Sequence, residues 1–378
     1  MNTLKYFIKH ETVLTISAIL ALLSMVIIHP DNEYLSYIDT RTLAILFSLM
    51  AVMSGLTRQG IFEKICRILL THTTGMRQIV YVLVGLCFMG SMIITNDVAL
   101  LTFVPFTFIV LKNLGNRACN LYIIPVVCMQ TIAANLGSML TPIGNPQNLY
   151  LFGKSNMTIL QFVQLMLPYS LAAFLLLLMW IIAICRKQKI TNIEILPQSQ
   201  TVTANKPLVF MNIILFIICI LAVMRILPYA IAFILVLVCN LCFDRKSLNN
   251  VDYSLLLTFV AFFIFIGNLG RISVFSDWLK SILTGHEVIA AVLASQITSN
   301  VPAALLLSGF TSEIPSLIIG TNLGGLGTLI ASMASLISYR QIAREMPDIK
   351  SKYFRMFTIS NLIFLVILLS IMLIIYRI

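Results

Sequence analysis

Ile94-Thr95-Asn96-Asp97-Val98-Ala99-Leu100 lies inside an otherwise apolar run from Gln78 to Leu111. Of the fourteen acidic residues, thirteen sit in or beside polar segments; Asp97 alone lies deep between hydrophobic arms. An ionisable group at membrane depth costs roughly 2.5–3.5 kcal/mol on insertion scales, so it points to function. The competing reading is a polar turn between two full spanning helices, with Asp97 wetted outside. The rest of the chain has to choose between them.

The 378 residues are 59% hydrophobic and only 10% charged, and their mean hydropathy is +0.98. No soluble domain of this length can hide so much apolar surface, so the solvent is a bilayer. In a bilayer only helices or a closed barrel satisfy the backbone. The apolar runs are continuous and Leu/Ile-rich without period-2 alternation, which predicts an all-α polytopic membrane protein. The eight cysteines fall in apolar helices or at their ends, with no disulfide or zinc spacing. His10, His29, His72 and His286 all lie outside the expected spans, which argues against an intramembrane metal or histidine catalytic centre.

Lys5, Lys9 and His10 precede an apolar segment from Val13 to Ile28, read as a retained first helix that ends at His29-Pro30. Further spans are expected over residues 42–56, 119–134, 165–184, 208–224, 228–243, 254–269 and 356–376, with a polar linker over 187–206. With the N-terminus in the cytoplasm, nineteen of the twenty-five Lys and Arg fall inside. The formal net charge of +11 is thus mostly a topology signal, and no basic module for nucleic acid is present. The expected location is a plasma membrane, specifically a bacterial inner membrane.

That topology requires 78–111 to enter and leave on one side, as Arg77 and Lys112 at its ends suggest. Its arms read as about fourteen to seventeen residues, short for full spans. Internal symmetry supports a re-entrant form. Asp39, Arg58 and Phe62 match Asp252, Arg271 and Phe275 at an offset of 213. Thr95-Asn96 and Ala99 match Ser299-Asn300 and Ala303 at 204, and Asn135-Leu136-Gly137, Thr141 and Ile143 match Asn322-Leu323-Gly324, Thr328 and Ile330 at 187. Asp39 opens its unit outside and Asp252 opens its unit inside, so the repeats are expected to be inverted.

The organisation predicted is an N-terminal helix (1–37), a first repeat (38–186; hairpin 78–111, broken helix 119–152), a linker with two helices (187–250), a second repeat (251–355; hairpin 287–310, broken helix 315–339) and a C-terminal helix (356–378). Arms of about ten residues around Thr298-Ser299-Asn300 reach roughly 15 Å, too little to span.

The candidate binding residues are Thr95, Asn96 and Asp97 at one tip, and Ser299 and Asn300 at the other. Asn135, Gly137, Thr141, Gly144, Asn145 and Asn148 on the first break, and Asn322, Gly324 and Thr328 on the second, complete the set. Half-helix N-termini offer N–H groups to an anion, and unwound carbonyls suit a cation. Asn96 and Asn300 donate and accept, while Asp97 binds a cation or a proton and is the expected coupling element. Gly325 and Gly327 read equally well as close-packing positions. Arg58 and Arg271 read as interfacial anchors, with recruitment of anions as the alternative.

At Thr95-Asn96-Asp97, Thr141-Pro142-Ile143-Gly144-Asn145-Pro146-Gln147-Asn148, Ser299-Asn300 and Asn322-Leu323-Gly324 the sequence resembles the ion transporter superfamily. That group includes citrate and divalent-anion symporters, arsenite permeases and some sodium/proton antiporters. The resemblance implies paired re-entrant hairpins, two broken helices, a midplane site, a homodimer and elevator-like alternating access. The dicarboxylate branch has Ser-Asn-Thr at both tips, whereas Asp97 and Val301 stand third here. Asn96-Asp97 and Asn300-Val301-Pro302 are closer to the arsenite-permease and antiporter branches, and Thr141-Pro142-Ile143-Gly144 to the anion symporters.

The expected function is secondary transport of a small anion coupled to H+ or Na+, without other cofactors; the alternative is a sodium/proton antiporter using Asp97. An intramembrane enzyme lacks its catalytic pairs, and no Gly-x-x-x-x-Gly-Lys-Ser/Thr loop for ATP is present.

Overall fold

The computed structural model describes residues 11–186 and 204–376. Lys5, Lys9, His10, most of the linker and Arg377 lie outside them. Among the described residues the chain is helical, with no strand. The first part comprises α1 (Thr12–Ile27), α2 (Thr40–Arg58), α3 (Ile61–Thr71), α4 (Met76–Ile94), α5 (Asn96–Asn113), α6 (Asn116–Ser138), α7 (Pro146–Lys154) and α8 (Ile159–Cys185). Next come α9 (Lys206–Val223) and α10 (Tyr229–Phe243). The second part repeats the order with α11 (Tyr253–Gly270), α12 (Ser273–Leu283), α13 (Glu287–Thr298), α14 (Asn300–Leu307), α15 (Ile314–Leu323), α16 (Met333–Glu345) and α17 (Lys350–Tyr376).

Seven helices of the described residues are long and apolar enough to cross a membrane: α2, α4, α6, α8, α9, α11 and the stretch containing α17. The apolar surface faces outward as a bilayer requires: Leu22 and Val26 of α1, Leu171 and Met179 of α8, and Phe210 of α9 are exposed. At the centre lies α6, buried along nearly its whole length against α4 and α5. Its counterpart α15 is buried against α13. On the other side, α1 packs on α11, and α9 and α10 pack on α2.

Several boundaries differ from the sequence reading. The arms of the first hairpin have 19 and 18 residues, because the helices absorb Met76, Arg77, Lys112 and Asn113 at their ends. Arm length alone therefore leaves α4 able to span. The second hairpin, with arms of 12 and 8 residues, is as short as expected. The first break is narrower than Asn135–Asn148. Helix α6 continues to Ser138 and α7 starts at Pro146, where a missing N–H costs nothing. Asn135, Gly137 and Asn148 are thus helical, and so is Asn322 at the end of α15. The last helix starts at Lys350, earlier than residue 356, since Lys350, Lys352 and Arg355 can hold their charges in the interfacial zone.

Candidate functional site

The hairpins turn at two residues with the same rare backbone, Thr95 (φ 68°, ψ 153°) and Ser299 (φ 79°, ψ 156°). This region is essentially a glycine region and costs a non-glycine about 1–3 kcal/mol, so the surroundings must hold each tip in place. They do so alike. The N–H of Asn96 donates to the Gly144 carbonyl at 3.2 Å, and the N–H of Asn300 donates to the Ala331 carbonyl at 3.0 Å. Each tip is thereby tied to the break in its own half.

The same spacing governs the surrounding contacts. Thr141 Oγ1 donates to the Met92 carbonyl, and Thr328 Oγ1 to that of Gln296 at 3.3 Å. A Cβ on Gly137 would strike the Phe88 carbonyl and Ser91, and one on Gly324 would strike Ser295. Both glycines therefore provide close approach between broken helix and hairpin. Across the two halves, Asn135 Nδ2 donates to Ser335 Oγ at 3.4 Å and Asn322 Nδ2 to Asn148 Oδ1 at 2.6 Å. Those two bonds exchange places under the 187-residue offset.

At the first tip Asn96 Nδ2 and Ser332 Oγ both donate to Asn135 Oδ1, at 3.2 and 2.9 Å. Asn96 Oδ1 accepts from the Asp97 N–H at 2.9 Å, and Asn145 Nδ2 donates to Ser138 Oγ at 2.7 Å. Asn148 Nδ2 lies 3.4 and 3.3 Å from the carbonyls of Ser138 and Thr141. Ser299 Oγ reaches Asn300 Oδ1 at 3.4 Å. Asn96, Asn135, Asn145, Asn148, Ser299, Asn300 and Asn322 are all at most 5% exposed. Thr328 is exposed, so of the predicted residues it stands nearest to solvent. Four buried side-chain atoms here lack a protein partner among the described residues: Asn145 Oδ1, Asn322 Oδ1, Asp97 Oδ1 and Gln147 Nε2. Three of the four are acceptors.

Asp97 borders a cavity of about 420 Å³ whose lining also includes Thr95, Arg58, Glu63, Asn250 and Asp252. Ser332 and Ser335 were not foreseen as ligands of Asn135, yet they stand 187 residues after Asn145 and Asn148, so the repeat offset was the signal for them. Arg58 and Arg271, read from the sequence as interfacial anchors, each form an ion pair. Arg58 pairs with Asp244 before α11, and Arg271 pairs with Asp31 before α2 at 2.7 Å. Asp31 and Asp244 are 213 residues apart, the spacing that relates the two arginines.

A family model described as "Citrate transporter" matches residues 6–316. The chain belongs to the citrate transporter family. An uncharacterized transporter of Methanocaldococcus jannaschii is 32% identical over 327 residues, covering 86% of this chain and 87% of that protein. Inner membrane protein YbiR of Escherichia coli is 30% identical over 308 residues, 80% of each chain. Silicon efflux transporter LSI3 of Oryza sativa subsp. japonica is 32% identical over 161 residues, 42% of this chain and 32% of that protein. This citrate transporter family member is a multi-pass membrane transporter.

Proposed function

We propose that the protein is a secondary transporter that moves a small anion across the membrane by alternating access, coupled to protons or sodium. In this reading its two halves are inverted repeats, and both hairpins are re-entrant with their tips near the bilayer midplane. The supporting observation is the reciprocal bonding of the breaks, Asn135 to Ser335 and Asn322 to Asn148, beside tips that are themselves buried. A surface turn would leave Asn96 wet, whereas it is 4% exposed. Irregular backbone at membrane depth is tolerated where protein surrounds it or where it lines a cavity.

The chemistry follows from which groups are left over. Helices α5, α7, α14 and α16 all start at a tip or a break, and their first turns present N–H groups and partial positive charge to an anion. The unpaired acceptors Asn145 Oδ1, Asn322 Oδ1 and Asp97 Oδ1 suit a cation. An ionised Asp97 repels an arriving anion, and a co-bound proton or sodium ion removes that repulsion. In this reading the Lys/Arg distribution puts the Arg58, Glu63 and Asp252 side of the cavity toward the cytoplasm.

The excess of acceptors over donors among the unpaired atoms favours a second reading, sodium/proton exchange through Asp97. Proteoliposomes separate the two. Labelled citrate, other small anions and a soluble silicon compound (after the name of the rice relative) are offered under an imposed proton or sodium gradient. Gradient-driven anion uptake is expected, with the ion dependence abolished in Asp97→Asn. Sodium-driven proton flux without any anion would instead establish the exchanger. Anion uptake with unchanged ion dependence in Asp97→Asn would remove Asp97 from coupling.

A further inference from the structure

The cavity beside Asp97 receives a second carboxylate that the repeat pattern makes conspicuous. Asp252 borders this cavity and also a smaller one of about 120 Å³ at the other tip, beside Ser299 and Val301. Asp252 is the N-cap of α11, and its Oδ1 accepts from the Leu255 N–H at 2.9 Å. A cap needs one oxygen. In the first half Asp39 caps α2 in the same manner, accepting from the Thr42 N–H at 3.0 Å, but there the Thr42 hydroxyl occupies the second oxygen. Leu255 stands at the position of Thr42, 213 residues on, and has no hydroxyl to give. Asp252 is exposed, and among the described residues the Leu255 N–H is the protein donor to its carboxylate.

Asp97 is the other departure from symmetry, since the second half has Val301 at that position. Its Oδ1 is buried and has no protein partner among the described residues. Asp97 thus has a buried oxygen without a protein partner among the described residues, Asp252 is exposed with an oxygen that the cap does not use, and both carboxylates border one cavity. The remaining charged groups of that wall are Arg58, Glu63 and Arg67. Arg58 is engaged by Asp244, and Arg67 lies over the Phe106 ring at 5.7 Å. On the side of the smaller cavity Asp252 shares the wall with Glu11 and Arg340. No group of three or more His, Cys, Asp or Glu able to hold a metal occurs among the described residues. Two carboxylates without a third ligand of that kind suit a small monovalent ion better than a calcium- or zinc-type ion, which takes a fuller ligand set.

We propose that Asp97 and Asp252 together form a site for a monovalent cation, proton or sodium, with Asp252 as the arm that loads it from the open side of the cavity. The proposal rests on the coupling role given to Asp97 above and adds a second carboxylate and a route of entry. A cation between two carboxylates that share a cavity offsets the repulsion between them.

The test uses the purified full-length protein. Binding of radioactive sodium is measured at pH 8, and melting temperature is followed from pH 5.5 to 8.5 without sodium at constant ionic strength. Asp252→Asn keeps the cap, since asparagine accepts as well as aspartate at that position. It should weaken sodium binding about tenfold or more, a loss of one good ion contact, or give a melting-temperature difference from wild type that changes with pH. Leu255→Thr supplies the missing hydroxyl and should act in the same direction, while Asp39→Asn should change neither measurement. If Asp97→Asn loses the cation response and Asp252→Asn keeps it in full, Asp97 acts alone and the two-carboxylate site is wrong. If wild type and Asp97→Asn behave alike in both measurements, the coupling role of Asp97 fails as well. A wild type that binds no sodium leaves the pH profile to decide, and an unchanged profile in Asp252→Asn overturns the proposal.

Discussion

Thr95 and Ser299 carry nearly the same strained backbone, and the N–H that follows each one donates to the break of its own half. Around these points the halves differ in three ways. The first hairpin has arms of 19 and 18 residues against 12 and 8 in the second. Asp97 faces Val301 across the pattern, and Thr42 faces Leu255. The turn geometry is thus shared, while the two sequence differences bear on Asp97 and Asp252, which border one cavity. The positions kept alike hold the turn geometry, and under the proposed function the positions that differ would divide the chemistry.

The largest test of the shared framework compares Gly137→Ala with Gly324→Ala. A Cβ at Gly137 would overlap the backbone carbonyl oxygen of Phe88; at Gly324 the obstacles are milder, Ser295 Oγ at 2.7 Å and Ser295 Cβ and the Gly320 carbonyl oxygen at 2.8 Å. Overpacking costs about 1–3 kcal/mol where neighbours can adjust, and Gly324→Ala belongs there. Gly137→Ala should exceed about 3 kcal/mol, because helix and hairpin must separate. Unfolding in a graded SDS titration measures both. Ser295→Gly, which removes both the Oγ and the Cβ, should relieve part of the cost of Gly324→Ala when measured against Ser295→Gly alone, and Ser91→Ala should not rescue Gly137→Ala. Equal costs or equal rescue would break the contrast.

The two arginine pairs give a smaller effect. Asp244 has a side chain 5% exposed, so Arg58→Ala leaves a buried carboxylate without its counter-ion. Breaking a buried pair costs about 3–5 kcal/mol, and the partial exposure of Arg58 brings the expectation to about 2–3. Arg271→Ala should produce only the minor change of an exposed pair. Asp244→Asn should restore much of the stability lost in Arg58→Ala. An Arg271→Ala variant as unstable as Arg58→Ala would show that exposure does not set the order.

Much of this was legible in the sequence. The helical class followed from composition, and the tip at Thr95–Asp97 from a single acid in an apolar run. The constant offsets located both breaks. Helix ends were harder, because Asn135 and Asn148 look like breakers yet spend their side chains on tertiary partners and remain helical. Ser332 and Ser335 were missed because serine is common and its role appears only beside Asn135. Asp252 read only as the residue that opens the second repeat, and the cavity and the absent hydroxyl at Leu255 distinguish it from Asp39.

The smallest expected effect concerns Asp31, the exposed counterpart of Asp244. Its hydrogen bond from Arg271 holds the carboxyl below the usual aspartate range, more than solvation loss raises it. A carboxylate with a depressed folded value adds stability that is present above the unfolded value of about 3.9. That stability is lost as pH falls through the lower folded value. The window is therefore below about pH 4, and neutral pH lies on its plateau. Asp31→Asn should melt slightly below wild type at pH 6, and the gap should close toward pH 3. Salt should shrink the pH 6 gap, since the pair is exposed and screened. Melting curves of both proteins at pH 6 and pH 3, in low and high salt, measure it. A gap that stays constant with pH would mean that Asp31 acts through the turn it makes with the Glu33 N–H at 3.0 Å, a bond that asparagine preserves only in part, and not through Arg271.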